Sequence, residues 1–388
     1  MRICRSTIGS TGAAVLAVAL LAACSPGTTA FDSESASGAS GAADGALADV
    51  QADVEAAMEP RDSFEVPTEP VDPSALAGQT VYYIPLTAQN RVFQLYGEKI
   101  GEALATVGVD LQVCDGGANP SQVGGCLEQA IGAGAAAIVT DSIPYGMAAN
   151  GIEAARAAGI PVIIGNQLPS DEQPADETLA YVNAPTSEMV ATVADWMTVD
   201  SGGDATVVLQ KVTDNPSTIA FAEAGEEAFA ENCPDCTVVV NEVSASNFPL
   251  IPSSTSAAIL SNPDTGYVLS EFEVFVQPTI AGIQQTPNAD QIQIGTAAAS
   301  LDGLQQLADD QQLQADVAQN FRYQGWATAD AIFRLVAGQE VPEYDVSYRL
   351  FTPANIGDIE LTEEAQASGE WFGPTDYEQE FAALWGQN

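Results

Sequence analysis

The chain has 388 residues, with 53 Asp and Glu against 10 Lys and Arg, no histidine and a formal net charge of −43. So few cations exclude a phosphate-gripping nucleic-acid surface and a polybasic membrane patch, and the missing imidazole removes Ser-His-Asp and Cys-His triads, HExxH zinc sites and histidine proton relays. At 46% hydrophobic the chain has ample core material, and its length suits two domains.

The first residues carry Arg2 and Arg5, and an apolar run from Ala13 to Ala23 follows, ending at Cys24. The run is shorter than the roughly 20 residues that span a bilayer, so it reads as a secretory signal over 1–23. Leu21-Ala22-Ala23-Cys24 resembles the lipobox of bacterial lipoproteins. That resemblance implies lipid on Cys24, an extracytoplasmic location and membrane contact through the anchor alone. Residues 24–78 read as the lipidated Cys and a flexible tether. They are Ser/Gly/Ala-rich as far as Gly45, with a short amphipathic helix on Leu47, Val50, Val54 and Met58, and an extended approach through Pro60, Pro67, Pro70 and Pro73.

Of six cysteines, Cys4 falls in the signal segment and Cys24 at the lipid site, and the four that remain suit an oxidising compartment. A bridge from Cys114, closing a strand, to Cys126, opening the next helix, would staple that loop. Cys233 and Cys236 flank Pro-Asp in a CxxC, read as a structural disulfide at a turn. Without histidine or a second CxxC, no metal site is expected.

From Thr80 strands and helices alternate. Strands are expected at 81–84, 111–113, 136–139 and 160–164, separated by helices near 92–107, 120–133 and 146–158. The pattern restarts with helices near 187–197, 218–230, 253–260 and 277–284, and strands at 206–209, 238–243, 267–269 and 291–294. Short apolar strands joined by helices mean parallel sheets. The fold class is therefore α/β, with two doubly wound lobes in series. The acidic, Gln-rich stretch from Asp302 to Asp316 reads as a solvated helix face. It lacks the Asp-x-Asp-x-Asp-Gly pattern of a calcium loop.

Ligands in open α/β sheets bind outside the carboxyl ends of the strands. The segments in that position carry Asn90 and Phe93, Asp141, Asn166 and Gln167, Asn215, Phe248, Glu271, and Gln319. Amides and carboxylates suit paired hydroxyls, and aromatic faces suit the C–H side of a ring. Most also have a plainer role: Asn90, Asn166 and Asn215 can serve turns, Phe93 and Phe248 can serve the core, and Asp141 and Glu271 can face solvent or pair with one of the few bases. Arg91, Lys211 and Arg322 lie beside these loops, where they either face solvent or bind an anionic group.

These segments and their order resemble the ribose/galactose-type periplasmic substrate-binding proteins of ABC transporters. The resemblance rests on Asn90-Arg91-Val92-Phe93, Ala157 to Ile163, Asp316 to Asn320 with the helix reaching Pro342, and Tyr377 to Trp385. It implies two lobes, 79–183 plus 320–350 and 184–319 plus 351–388, joined by a multi-strand hinge. It makes Asn90 and Phe93 a first-lobe amide and stacking ring, with Val92 in place of a second ring. Asp141, and Asn166 with Gln167 (where the family has Asp-Arg), become ligand contacts. Phe248 becomes a second-lobe ring, Glu271 stands near a family Asn, and Gln319 aligns with a hinge Gln. Ala222 and Ala297 stand where the family has Arg and Asp.

The implied protein is a monomeric receptor for a small polar solute, sugar or sugar-like, that serves an ABC permease. It needs no cofactor and carries out no catalysis. A sensor for a membrane receptor would look the same in sequence. A secreted glycoside-acting enzyme would have to use Asp141 with Glu271, and no GxSxG, P-loop or GxGxxG accompanies the first strand.

Overall fold

Strands that alternate with helices must cross over, and right-handed crossovers build parallel sheets. The computed structural model describes residues 36–309 and 312–387, and it holds two such sheets. The expected signal segment 1–23, Cys24 and the tether as far as residue 35 lie outside the described residues. Residues 44–388 form one unit by their contacts.

Helix α1 (Ala36–Met58) buries Val50 and Val54 on the expected spacing. The expectation of a flexible tether fails over the stretch that follows, 59–78. Its prolines hold it extended, but Phe64, Val71 and Leu76 are buried, and each such side chain contributes about 1.5–3 kcal/mol. The stretch is a strap fastened to the body.

The first sheet comes from β1 (Thr80–Pro85), α2 (Arg91–Ala105), β2 (Asp110–Val113), α3 (Pro120–Ala133), β3 (Ala137–Asp141), α4 (Tyr145–Ala157), β4 (Val162–Gly165) and β5 (Leu179–Val182). Its strand order is β2-β1-β3-β4-β5, and every pairing is parallel. The second follows through α5 (Thr186–Asp200), β6 (Thr206–Val212), α6 (Pro216–Asn232), β7 (Thr237–Val243), α7 (Ile251–Ser261), β8 (Tyr267–Ser270), α8 (Val276–Ile283), β9 (Gln293–Ala297), α9 (Leu301–Asp309) and β10 (Leu313–Gln319). Helix α10 (Phe321–Ala337), strand β11 (Tyr348–Phe351), α11 (Glu363–Ser368) and α12 (Tyr377–Leu384) complete the chain. This sheet runs β11-β10-β9-β8-β6-β7, with only β10 and β11 antiparallel. The α/β class with two parallel-dominated lobes is the expected one.

The chain leaves the first sheet after β5, returns after β10 into α10, and goes back before β11. Helix α10 packs tightly on α2. A Cβ on Gly325 would lie 2.5 Å from Lys99 Cβ, and Tyr96 Oη meets Thr328 Oγ1 at 2.6 Å. Two expected boundaries move. Tyr348 to Leu350 belong with the second sheet, because β11 pairs with β10 along its edge. Helix α12 sits on α10, where Trp385 stacks on Trp326 at 5.3 Å and 8° and so covers its aromatic face. Asp316 is a third correction. It is fully buried in β10 and is not part of a solvated helix face. Both disulfides are present: Cys114–Cys126 ties β2 to α3, and Cys233–Cys236 closes the turn before β7.

Candidate functional site

The carboxyl ends of the first-sheet strands are held in register, with Pro85 beside Asp141 and Asp141 beside Gly165. That register gathers the residues just after each strand. Asp141 is fully buried and accepts from three donors: Tyr83 Oη at 2.6 Å, Asn166 Nδ2 at 2.8 Å and Ser142 Oγ at 3.2 Å. Burial drives its carboxyl up to about 6, and these donors restrain the rise. The Tyr83 hydroxyl also lies 2.9 Å from the Phe93 carbonyl oxygen. Gly97 makes room for the ring, since a Cβ there would stand 2.6 Å from Tyr83 Cε1.

Asn166 adopts a left-handed φ of +57°, a conformation that Asn tolerates better than most residues. Its Oδ1 accepts from Gln324 Nε2 at 2.9 Å, and Gln324 Oε1 accepts from Gln319 Nε2 at 2.8 Å. A continuous hydrogen-bonded chain therefore runs from Tyr83 through Asp141, Asn166 and Gln324 to Gln319, at the end of β10. Gln167 is buried and turns its amide back onto the Asn166 carbonyl at 2.8 Å, while Asn183 brackets its backbone. The next residue reaches the second lobe, where Leu168 N donates to Ser217 Oγ at 3.0 Å.

Two candidate amides are occupied by helix starts. Asn90 Oδ1 caps α2 through Val92 N, and Asn215 Oδ1 caps α6 through Ser217 N and Thr218 N. Phe93 lies on the wall of a cavity of about 340 Å³ whose other walls include Tyr83, Pro85, Gly97 and Leu111. Phe248 is exposed and packs on Phe275 at 5.7 Å. Glu271 is fully buried. Its Oε2 accepts from Val212 N at 2.7 Å, its Oε1 has no partner, and burial holds its carboxyl well above the usual range. Phe248 and Glu271 thus belong to a second-lobe cluster with Val212 and Phe272. No described hydrogen bond joins them to the Asp141 chain.

Tyr83, Gln324, Ser217 and Asn183 escaped the sequence reading. A tyrosine in an apolar strand is itself a signal, because its buried hydroxyl must find a partner. Gln324 has no comparable signature.

The eight bases within the described residues are all engaged. Arg91 pairs with Glu98 at 2.8 Å, Lys211 with Glu223 and Glu226, and Arg322 with Glu378 and Glu102. Arg61, Lys99, Arg156 and Arg334 hold Asp345, Glu102, Glu153 with Asp176, and Asp330. Arg349 donates to the carbonyls of Met58 and Trp371 at 2.7 Å each. Among the described residues no group of three or more Cys, Asp or Glu could hold a metal ion, and no helix is long and apolar enough to cross a membrane.

Two parallel sheets with polar loops at their strand ends are the architecture of type I periplasmic binding proteins. The chain belongs to the periplasmic binding protein domain family, whose model matches residues 81–340. Solved structures similar to it include the 5-methylthioribose transporter solute-binding protein of Thermotoga lettingae, with TM-score 0.66 and 17% identity, covering 80% of this chain and 99% of that one. A solute-binding protein of Agrobacterium vitis with bound allitol has TM-score 0.63 and 16% identity, covering 73% and 98%. One of Actinobacillus succinogenes with bound D-allose has TM-score 0.62 and 17% identity, covering 72% and 99%. No curated protein matches the chain by sequence.

Proposed function

We propose that this protein is an extracytoplasmic solute-binding protein of an ABC importer, held at the membrane by lipid on Cys24. On this reading it works as a monomer and captures a small neutral sugar or polyol between its two lobes by hinge closure. The observation that carries the proposal is the pairing of amide-rich strand ends in the first lobe with a full commitment of cations elsewhere. Amides and a donor-ringed carboxylate recognise hydroxyls, and the engagement of every described Arg and Lys with an internal partner favours a neutral ligand over an anionic one. Structures of similar fold with bound allitol and D-allose support a polyhydroxylated ligand.

The reading is binding without turnover. Asp141 is ringed by donors and Glu271 is fixed on a backbone amide, an arrangement that favours fixed recognition over proton transfer to a glycosidic oxygen.

A thermal-shift screen of neutral sugars and polyols beside sugar acids and sugar phosphates tests this. A ligand at a hundred times its Kd adds about 2.7 kcal/mol to the folded state, so at least one neutral compound is expected to raise the midpoint. A rise confined to the acids or phosphates would defeat the reading.

A further inference from the structure

The strap provides a link between the lobes that the three chain crossings do not. At its start it is fastened to the second lobe. The Met58 carbonyl accepts from Arg349 Nε of β11 at 2.7 Å and from Asn355 Nδ2 at 3.0 Å, and Arg61 N donates to the Phe372 carbonyl at 2.8 Å. Gly373 is required there. Its φ is +131°, and any side chain on it would strike the Arg61 carbonyl.

A few residues later the strap is fastened to the first lobe. Phe64 lies edge-on to Tyr377 of α12 at 5.1 Å and 5.7 Å from Tyr323 of α10. Arg334 Nη2 of α10 donates to the Glu69 carbonyl at 2.7 Å, and Gly78 N donates to the Gly108 carbonyl at 2.8 Å, just before β2. The segment between Phe372 and α12 also passes from second-lobe to first-lobe packing. Trp371 packs on Phe351 of β11, whereas α12 packs on α10.

We propose that the strap at 58–78, together with the return of the chain through Gly373 into α12, forms two additional straps across the hinge and limits how far the lobes open. The physical reason is geometric. The crossings at Asn320 and Ser347 bond backbone to backbone at 2.9 Å, and Gln324 Nε2 reaches the Val182 carbonyl beside the first crossing at 3.3 Å, so the three act as a pivot. Attachments on both bodies beside that pivot must stretch or detach when the bodies rotate. The first-lobe end adds the ring packing of Phe64 to its hydrogen bonds, whereas the second-lobe end is held by hydrogen bonds, so the second-lobe end yields first.

The inference rests on the two-lobe clamp proposed above, and its test uses no ligand. The amide of Leu168 bonds across the lobes to Ser217 Oγ, so its hydrogen exchange reports opening. In the ligand-free full chain, Gly373→Ala, whose side chain would displace the Arg61 carbonyl, and Phe64→Ala are each expected to speed exchange at Leu168 by about tenfold, with Val139 in β3 unchanged. Unchanged exchange at Leu168 in both variants overturns the proposal. So does equal acceleration at Val139, because overall stability would then have changed and not hinge freedom. A sugar screen that finds no ligand would defeat the functional reading while leaving this measurement intact.

Discussion

Asp316 is sealed from solvent in β10. Neither of its oxygens has a hydrogen-bond partner, and Thr296 Oγ1, its in-register neighbour on β9, is likewise unpartnered. A Cβ on Gly303 would lie 3.0 Å from Asp316 Oδ2 and closer still to Glu273, so the two carboxyls share one small space. Burial raises the Glu273 carboxyl, the bonds from Ser300 N and Oγ at the start of α9 restrain that rise, and Asp302 adds to it. Burial and Glu273 push the Asp316 carboxyl well above its usual range. A raised acid stabilises the fold fully below the ordinary carboxylate value and loses that contribution as pH climbs through the raised value. Asp316→Asn should therefore match the wild type near pH 4 and exceed its stability increasingly above that, read as melting midpoint against pH. Midpoints that stay parallel across the range would count against the buried acid. Asp141 follows the same sign, its contribution being lost as pH climbs from the ordinary carboxylate value to about 6. Asn166→Ala removes a donor to Asp141 and an acceptor for Gln324, and affinity for any ligand identified should fall by about 1–3 kcal/mol in calorimetry.

At the level of elements, caps and close approaches dominate. Asn215 organises the first turn of α6 and thereby presents Ser217 to Leu168. Asn215→Ala should cost about 1 kcal/mol of stability in urea unfolding, with an unchanged m-value. Gly97→Ala pushes on the Tyr83 ring that reaches Asp141, and a cost of about 1–3 kcal/mol is expected. The alternation of elements was legible because apolar runs such as Val81 to Ile84 are short and bounded by helical spacing. Strands β5 and β11 were not, because four residues such as Leu179 to Val182 carry too little pattern to separate from loop. The strap was misread because proline marks an extended chain but does not tell whether that chain is free or docked. Asn90 and Asn215 were legible as polar residues at strand ends, but the sequence left open whether their amides served ligand or backbone.

Over the whole molecule, charge and cross-links set the behaviour. The Cys114–Cys126 bridge spans a sequence separation of 12 and should contribute about 3 kcal/mol, so reduction should lower the melting midpoint measurably. A net charge of −43 repels itself, and added sodium chloride should raise the midpoint until screening is complete. A midpoint that falls with salt would mean that the ion pairs outweigh the repulsion. The two-lobe plan was legible from the restart of the pattern after Ile164. The placement of α12 was not, since only packing decides which lobe an amphipathic helix covers.

The commitment of every described Arg and Lys to an internal partner reaches beyond ligand choice. Seen from a distance the protein presents a large negative excess, so copies of it repel one another in solution. A docking partner that displays lysines or arginines would be drawn in from several ångströms away, and its encounter rate would drop steeply as ionic strength rises.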